Sequence, residues 1–566
     1  MSQGFLHTWR LAITPLAPVH IGTGDDYEPT QYVIDGERLF SFSPEAALRA
    51  LPEAARADLL KILAGAPTVA LIKQVQGFFY RHRERLIPEA EHVIPVLPSI
   101  ASEYAERVGQ TAQREQNGRE IINQLRIART YGDLATRRPI LPGSSLKGAI
   151  RTALLDQANA GASLLPEERN RPSPQGNLAL QQRLFHYRPN AFDHDPMRLV
   201  QIGDAADQRP ATTIGTEIRY AVNRKRHPVL KDGREIDAMA QNLRQVLECV
   251  PPLRARAFLG SLALQDPGAL SSPKLPDPRL RWSFTDLAHA CNAFYRPILE
   301  RERRELRTRG YLDADWLATL EQLLAVHQSD LDANRTFLLR VGYHSGAESV
   351  TLNGVRDIKI NMGRDPQTGR TRYENLPETK TVWLAARDIQ DRRDLLPFGW
   401  LLVEGVPDGQ DFVPWPTDLL DTTAVYAAAE PDWIAAMQAR RDELQSRLDE
   451  QRARDQAQRE AVEQAQRAAA QQAALFASLS EEGRQLATLS ELLERDRRTN
   501  TKLAGGELAS TLVSLLKEAQ AAWPAADCAA LADLADEIYR FIGWPASKKK
   551  RERKEQIQAL RDKGSS

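Results

Sequence analysis

The sequence predicts an α+β protein with an all-α C-terminal extension, and three observations support this prediction. Residues 9–21 alternate apolar and polar side chains as a strand does, and residues 32–42 read as a hairpin that turns at an Asp-Gly pair. A helical stretch over 43–63 begins with a proline in its first turn. From 433 to 476 the chain is rich in Ala, Gln, Arg and Glu and shows no strand pattern.

The middle of the chain continues the mixed pattern. Residues 160–197 contain several prolines and are predicted to form an insertion loop, and residues 280–328 show helical spacing of apolar residues. Strands, or regions of paired strands, are predicted at 198–204, 216–222, 248–264, 337–342, 380–384 and 396–404.

The C-terminal extension is predicted to have two parts. Oppositely charged residues recur at i,i+4 through 433–476, while apolar positions are sparse after Leu448, which indicates a solvated single helix. Leucines at helical spacing over 479–544 predict a small helical module. The basic segment 548–554 is typical either of a nucleic-acid contact or of a solvated tail.

Composition limits the classes of protein that fit. The 566 residues hold 75 Lys and Arg against 75 Asp and Glu, so polyanion binding has to come from local basic patches. The three cysteines lie far apart, which argues against a disulfide framework or zinc cluster and predicts three core residues. No apolar run approaches a signal peptide or membrane span, so we expect a soluble, cytoplasmic protein. We also expect no cofactor.

The segment 140–151, Ile-Leu-Pro-Gly-Ser-Ser-Leu-Lys-Gly-Ala-Ile-Arg, reads as a glycine-rich loop that opens a helix. Ser144 or Ser145 is predicted to cap the helix, and first-turn N–H groups beside Lys147 and Arg151 would suit a phosphate. A nucleotide-binding P-loop is excluded because Ala-Ile follows the second glycine. A tight turn that packs a helix on a sheet explains the segment equally well.

Three other segments also suit either a ligand contact or a purely structural role. His20-Ile-Gly-Thr-Gly24 holds small residues that let a backbone approach a ligand, although a loop that needs positive φ is the favoured interpretation of this segment alone. The basic run 223–227 fits a phosphate contact or an ordinary hairpin tip. In the segment 337–351 a strand runs into a glycine-rich turn, where His344 suits a structural or RNA-contacting role better than acid–base chemistry.

Glycine-rich turns flanked by basic residues, together with the lack of a Rossmann, nucleophile-elbow or HExxH motif, favour a protein that binds a nucleic-acid backbone. The segments 20–24, 141–151 and 397–400 (Pro-Phe-Gly-Trp) resemble the RAMP superfamily of CRISPR effector subunits. They are most similar to the terminal subunits of type III-A (Csm) complexes. The resemblance covers residues 5–405, and none is seen for 430–566.

This resemblance implies ferredoxin-like (RRM-type) RAMP domains with helical insertions, and a non-catalytic subunit that caps the 3′ end of the CRISPR RNA and assists its maturation in antiviral defence. The implied partners are the CRISPR RNA and the neighbouring RAMP backbone and small subunits of a type III effector complex, with a host ribonuclease as a further candidate. The predicted RNA-contacting residues, including the basic loop, are His20, Gly22, Thr23, Gly24, Gly143, Ser144, Ser145, Lys147, Gly148, Arg151, Arg224, Lys225, Arg226, Gly342, His344, Ser345 and Gly346.

Two other functions stay open. The family's cleaving subunit carries an Asp within an Ile-Asp-Asn-Pro pattern after its first glycine motif, and that pattern is missing after Gly24. Asp25 and Asp26 stand there instead, so a metal-dependent endoribonuclease that processes or cleaves RNA is the first alternative. The second is an assembly scaffold that recruits partners through the helices of 430–566.

The predicted domain organisation follows from these patterns. It comprises an N-terminal RAMP domain with insertions (1–270), a helical insertion with a second RAMP-like β region (271–425), a long charged helix (426–476) and a small helical module with a basic tail (477–566).

Overall fold

The structure is a computed structural model of the chain. It describes residues 5–28, 30–65, 69–108, 113–114, 120–121, 125–133, 137–169, 175–186, 190–208, 215–231, 233–236, 244–268, 270, 272, 274–365, 367–424 and 431–565. Residue contacts divide the chain into two compact units, Met1–Arg441 and Asp442–Ser566. The finer domain boundaries at 270 and 425 stay a prediction.

The strands of the described residues are β1 (Leu6–Pro15), β2 (Gly22–Tyr27), β3 (Tyr32–Asp35), β4 (Arg38–Ser41), β5 (His92–Pro95), β6 (Gln113–Arg114), β7 (Glu120–Ile121), β8 (Ile127–Thr130), β9 (Ile140–Leu141), β10 (Val200–Ile202), β11 (Ala205–Asp207), β12 (Glu217–Lys225), β13 (Val229–Lys231), β14 (Arg234–Ile236), β15 (Arg244–Cys249), β16 (Phe258–Gln265), β17 (Thr336–Arg340), β18 (Ile358–Arg364), β19 (Thr371–Leu376), β20 (Thr381–Ala386) and β21 (Trp400–Pro407).

The α-helices of the same residues are α1 (Pro44–Ala50), α2 (Glu53–Leu63), α3 (Val69–Arg81), α4 (Arg83–Leu86), α5 (Pro98–Arg107), α6 (Gly143–Asn159), α7 (Pro166–Arg169), α8 (Gln175–Phe185), α9 (Phe284–Thr308), α10 (Ala314–Val326), α11 (Gln328–Asp332), α12 (Thr417–Ala424), α13 (Pro431–Ser478), α14 (Glu481–Arg498), α15 (Glu507–Ala522), α16 (Ala525–Ile542) and α17 (Ser547–Gly564).

Two sheets organise the first unit. A seven-stranded sheet runs in the order β17-β21-β1-β16-β11-β9, with β10 paired to β16, and a five-stranded sheet runs β2-β8-β15-β12-β20. Strand β1 lies inside the first sheet, where Trp9 pairs with Leu262 on one side and Pro407 on the other. A three-stranded sheet, β3-β4-β5, follows the predicted hairpin at Asp35-Gly36. The mixed α and β content of the prediction is confirmed.

The seven-stranded sheet is covered by helices, because α6 packs against α9 and α9 against β17. Leu146, Ile150 and Leu154 of α6 point into this core, which is the helical spacing seen in the sequence. Helix α9 begins with a capping box between Ser283 and Asp286, and its buried residues include Cys291. All three cysteines are free and buried, as predicted.

Two predictions of local structure in the first unit were wrong. The helix predicted over 43–63 is split into α1 and α2, because Leu51 leaves the helix before Pro52. The region 160–197 is not a bare loop: it contains α7 and α8, and Leu180, Leu184 and Phe185 bury an apolar face of α8. Its prolines obscured that i,i+4 spacing.

The second unit is helical, as predicted for the C-terminal region. The side chains of residues 449–478 of α13 are exposed, which matches the prediction of a solvated helix. Helices α14, α15, α16 and α17 enclose a separate core that contains Leu489, Leu512 and Leu516. The predicted basic tail is instead the first part of α17, whose Ile557 and Leu560 are buried in that core. Among the helices described in either unit, none is long and apolar enough to cross a membrane.

Candidate nucleic-acid interface

A cleft of about 810 Å³ lies beside the strands β2, β8 and β15 of the five-stranded sheet. Its walls combine the glycine-rich segments 20–24 and 342–346, since Gly22 and Gly24 line it together with Gly342. Glycine 24 has φ +88°, a backbone conformation that other residues rarely adopt. The cleft therefore exposes backbone where a ligand can approach closely.

Gly342 is the point where the two segments meet. The N–H of the next residue, Tyr343, donates to the backbone oxygen of His20 at 2.8 Å. A methyl group on Gly342 would clash with that same oxygen, and its φ of +81° also favours glycine. The turn is supported from behind by Gly399 of the 397–400 segment, where a methyl group would clash with the oxygen of Val341. The sequence segments 20–24, 342–346 and 397–400 are thus brought together.

The floor of the cleft is a buried polar network around Glu248. His20 is 3% exposed, and its Nδ1 donates to the backbone oxygen of Glu248 at 2.7 Å. The Glu248 carboxylate accepts hydrogen bonds from the hydroxyls of Tyr27 (3.2 Å) and Thr216 (2.7 Å) and from the N–H of Thr130 (3.1 Å). Burial lowers the pKa of His20. His20 therefore shapes the cleft from beneath.

His344 is packed in a similar way. Its imidazole stacks on Trp383 with ring centroids 4.4 Å apart, and its Nε2 lies 2.9 Å from the side-chain oxygen of Gln245. Burial lowers its pKa to about 3, so the ring is neutral at physiological pH. Ser345 is buried, whereas Gly346 is exposed with φ +78°. Of this segment, the backbone around Gly342 and Gly346 is the part that a ligand can reach.

Cations and carboxylates both line the cleft. Arg126 lies at the wall with 61% of its side chain exposed, and the Arg129 guanidinium lies 4.8 Å from the centre of the Tyr27 ring. Asp25 and Asp26 lie on β2 in the same wall, with Asp26 4.0 Å from Arg126. In the part of the chain that the structure describes, no group of three or more His, Cys, Asp or Glu residues is arranged to hold a metal ion.

The segment 140–151 is more tightly packed than the sequence suggests. Helix α6 begins directly at Gly143, and Pro142 is its N-cap, so the prediction that Ser144 or Ser145 caps the helix is wrong. A methyl group on Gly143 would clash with the backbone oxygen of Ile202. The N–H of Gly143 donates to the Asp204 carboxylate at 2.7 Å, so a carboxylate already occupies this helix end.

Basic residues further along α6 are also engaged. The Arg151 guanidinium bonds both oxygens of Asp195 at 3.1 Å and the side chain of Gln181 at 2.9 Å, and it lies over the Phe185 ring. Partial burial lowers the pKa of Lys147. Ser144 and Gly148 are exposed, while Ser145 and Lys147 are half-buried. The part of α6 that a ligand can reach is therefore its first two turns. Arg151 instead connects α6 to Asp195 and Gln181 within the protein.

Backbone hydrogen bonds connect this helix to the cleft. The N–H of Tyr131 donates to the oxygen of Ile21 at 2.6 Å, and the N–H of Ile140 donates to the oxygen of Tyr131 at 3.1 Å. The chain from 130 to 132 therefore lies between the first glycine-rich segment and the start of α6. The segment 140–151 therefore borders the cleft through residues 130–132.

The basic run 224–226 does not form the exposed loop that was predicted. Arg224 is 3% exposed and donates to the backbone oxygens of Ile389 and Asp391, and Arg226 is 5% exposed and pairs with Glu305 at 3.0 Å and with Glu348. Both lie on or next to β12, whose neighbours bury them. The prediction that Arg224 and Arg226 contact RNA is corrected on this ground, while Lys225 is half-buried.

Several cleft residues were missed as site residues from the sequence. Arg126 and Arg129 stand in a polar, arginine-rich stretch of sequence of the kind that usually forms a solvated surface, and Arg244 and Gln245 lie in β15, whose sequence gives no functional signal. Tyr343 offered the clearest missed signal, because it stands between Gly342 and His344. An aromatic residue inside a predicted contact segment warrants attention in any nucleic-acid binder.

Residues 12–234 match the model of the RAMP superfamily. The RAMP segment, residues 12–234, includes β2, β8 and the start of α6, whereas Gln245 and Tyr343 complete the cleft from outside it.

The chain is also similar to individual proteins. It is 27% identical over 156 residues to the CRISPR system protein Csm5 of Streptococcus thermophilus, and this match covers 26% of the chain and 38% of the relative. The chain thus spans well under half of that relative's length. Among solved structures, Csm5 of T.onnurineus is 17% identical with a TM-score of 0.41, covering 70% of this chain and 99% of that one. A chain of a Csm-crRNA-target RNA ternary complex from a type III-A system is 18% identical with a TM-score of 0.40, at 70% and 100% coverage.

Proposed function

We propose that this protein is a CRISPR RNA-binding subunit of a type III-A (Csm-type) complex that caps the 3′ end of the guide and assists its maturation in antiviral defence. The observation that carries the proposal is the cleft, in which two glycine-rich segments about 320 residues apart present their backbones next to Arg126 and Arg129. Backbone amides and arginines are the groups that hold phosphates without reading sequence.

The family relationship supports the same function. The cleft is built in large part from the RAMP segment, and the similar Streptococcus protein is named as Csm5 of a CRISPR system. The partners in this proposal are the CRISPR RNA, neighbouring RAMP backbone and small subunits, and a host ribonuclease that trims the guide. The proposed site of action is the cytoplasm.

The proposed contacts are a revised set. They combine Gly22, Gly24, Arg126, Arg129 and Gly342 of the cleft wall, together with Thr23 between the first two glycines, and the first two turns of α6 with Ser144, Ser145, Lys147 and Gly148. The half-buried Lys225 and the exposed Gly346, which lie outside the cleft lining, stay in the set as further proposed contacts. His20, Gly143, Arg151, His344 and Ser345 shape this surface from within. A ferredoxin-like topology of the RAMP domains is part of the proposal, supported by the helices α6 and α9 on the seven-stranded sheet.

The experiment removes the two cleft cations. In the purified full-length chain, replacing Arg126 and Arg129 together by Gln should weaken single-stranded RNA binding and lower the slope of log K against log salt by about 1.4, since each phosphate contact adds about 0.7. The matched control replaces Lys61 and Arg279, two exposed cations that do not line the cleft, by Gln. In the assembled complex the cleft variant should retain less guide RNA.

If the cleft variant and the control bind RNA with the same affinity and the same salt slope, the cleft is not the RNA site. Guide length is the second measurement, because a capping subunit with a weakened grip should leave the 3′ end open to altered trimming. Unchanged guide retention and length in the complex would contradict the capping role.

A nuclease is the second candidate, and one observation favours it. Asp25 and Asp26 line the same cleft as the arginines that would hold RNA. Incubation of the purified chain with RNA and Mg²⁺ or Mn²⁺, with Asp25→Ala and Asp26→Ala as controls, tests it. Cutting that these variants abolish would replace the binding proposal by an enzymatic one.

A further inference from the structure

Tyr343 lies in the wall of the cleft, where its backbone is hydrogen-bonded and its side chain is exposed. Its backbone is held by the hydrogen bond to His20, while 54% of the residue is exposed. Its ring centroid lies 4.3 Å from that of His344 at a tilt of 49°, and the ring of His20 stands edge-on at 6.3 Å. The aromatic ring is therefore supported from the protein side and open toward the cleft.

The support behind Tyr343 is itself rigid. His344 stacks on Trp383 and lies 5.4 Å from the ring of Phe398, which is fully buried. A row of rings thus runs from the core to the cleft and ends at Tyr343. A ring placed in this way loses little conformational freedom when another flat group stacks on it.

The surroundings of Tyr343 select the kind of flat group. The cleft lining holds Arg126, Arg129 and Arg244 against two carboxylates, Asp25 and Asp26, and this excess of cations favours a ligand with negative charge. The exposed backbone of Gly22 and Gly24 permits close approach. Single-stranded RNA offers phosphates for the cations and an aromatic face on every base. A volume of about 810 Å³ is within the range of sites that enclose a small-molecule ligand.

We propose that Tyr343 is a stacking platform for one nucleobase of the single-stranded RNA bound in this cleft. This inference rests on the proposed RNA-binding function and adds a base contact to the backbone contacts. Because every base has a π face, the contact tolerates any sequence. It fits a subunit that holds guides of different sequence.

The test compares RNA with a backbone that has no bases. Binding of the full-length chain is measured for a short oligouridylate and for an abasic ribose-phosphate oligomer of the same length. Tyr343→Ala should weaken oligouridylate binding about tenfold, leave abasic binding unchanged, and keep the salt slope. Tyr343→Phe should retain the wild-type affinity, because it keeps the ring. Free uridine monophosphate should compete poorly with the oligomer.

Tyr373→Ala is the matched control, because Tyr373 is also half exposed (52%) but lies on β19 outside the cleft lining. Equal weakening of both oligomers by Tyr343→Ala, or no weakening of either, would overturn the stacking role while RNA binding itself stands. A wild-type chain that binds neither oligomer would overturn the proposed function and this inference together. Competition by the mononucleotide as strong as by the oligomer would also overturn it, in favour of a free-nucleotide site.

Discussion

The glycines of the cleft and the glycine that opens α6 stand in similar stretches of sequence, yet they make different contacts. Gly24 has a positive φ with open space where a Cβ would stand, and it leaves backbone exposed at the cleft, while Gly342, also at positive φ, holds the opposite wall against the His20 oxygen. Gly143 is buried against the oxygen of Ile202, and its N–H is taken by Asp204. One type of segment is shaped to receive a ligand, and the other to pack a helix on a sheet.

The difference shows how a glycine-rich basic segment should be interpreted. What separates the two cases is the partner of each group, and those partners are distant in the sequence. Asp195 and Asp204 neutralise the positive end of α6 and its Arg151, whereas the cleft keeps Arg126 at its wall with most of its side chain exposed. At Gly143 itself the structure shows packing, because its N–H is bonded to Asp204 and its Cα lies close to the backbone oxygen of Ile202.

The largest expected effect is at the cleft. Gly342→Ala should lower the free energy of unfolding by about 3 kcal/mol, because left-handed strain adds to a clash with the His20 oxygen. Gly363→Ala is the control, since Gly363 has a similar φ of +88° but open space around its Cα, and it should cost only about 1 kcal/mol. Urea unfolding of the full chain, followed by tryptophan fluorescence, measures both. Equal losses would mean that the close approach to His20 is unimportant.

The second effect tests the close packing of Gly143 against another glycine of the same helix, Gly148. Gly143→Ala should cost about 2 kcal/mol, since the methyl group meets backbone that cannot move aside. Gly148→Ala should instead stabilise the protein by about 0.5–1 kcal/mol, because nothing lies near that position and alanine favours a helix. Thermal unfolding compares the two. A Gly143→Ala protein as stable as the wild type would show that the close approach of Gly143 to the Ile202 oxygen is unimportant.

The smallest effect concerns pH. Burial holds the pKa of His344 at about 3, well below its value of 6.5 in an unfolded chain. As the pH falls below 6.5, the imidazole is therefore protonated in the unfolded state while it stays neutral in the folded state. The resulting stability is present above pH 6.5 and is lost as the pH falls toward about 3. At pH 6 the loss should be below about 1 kcal/mol.

The variant His344→Gln removes this titration and should flatten the dependence of the unfolding free energy on pH between these values. His227→Gln offers a matched control, because His227 is an exposed histidine that follows β12. A wild-type curve that His344→Gln leaves unchanged would show that the row of rings behind Tyr343 does not depend on a neutral imidazole.

Much of this fold could be predicted from local patterns. The hairpin at Asp35-Gly36, the strands around 9–21 and 216–222, and the long helix over 433–476 follow from alternation, turn residues and i,i+4 charges. Those signals act over a few residues, so a sequence displays them directly. The two short helices within 160–197 escaped because their prolines suggested a loop.

The site was less accessible to such reasoning. His20, Gly24 and Gly342 were singled out from the sequence as parts of glycine-rich segments, and the structure brings them to one cleft. Burial of Arg224 and Arg226 depends on carbonyls and carboxylates more than 70 residues away, which no local pattern reveals. Tertiary contacts of this kind decide whether a basic residue faces solvent.

The hydrogen bond between Tyr343 and His20 has a consequence for biosynthesis. A ribosome delivers His20 early and Tyr343 more than 300 residues later, and the supporting Gly399 later still. Domains form as their chain emerges, so the two walls of the cleft are joined only when most of the first unit has been made. A prematurely terminated chain that lacks the 342–346 turn has half a cleft. A cleft with both of its walls is therefore a property of completed chains.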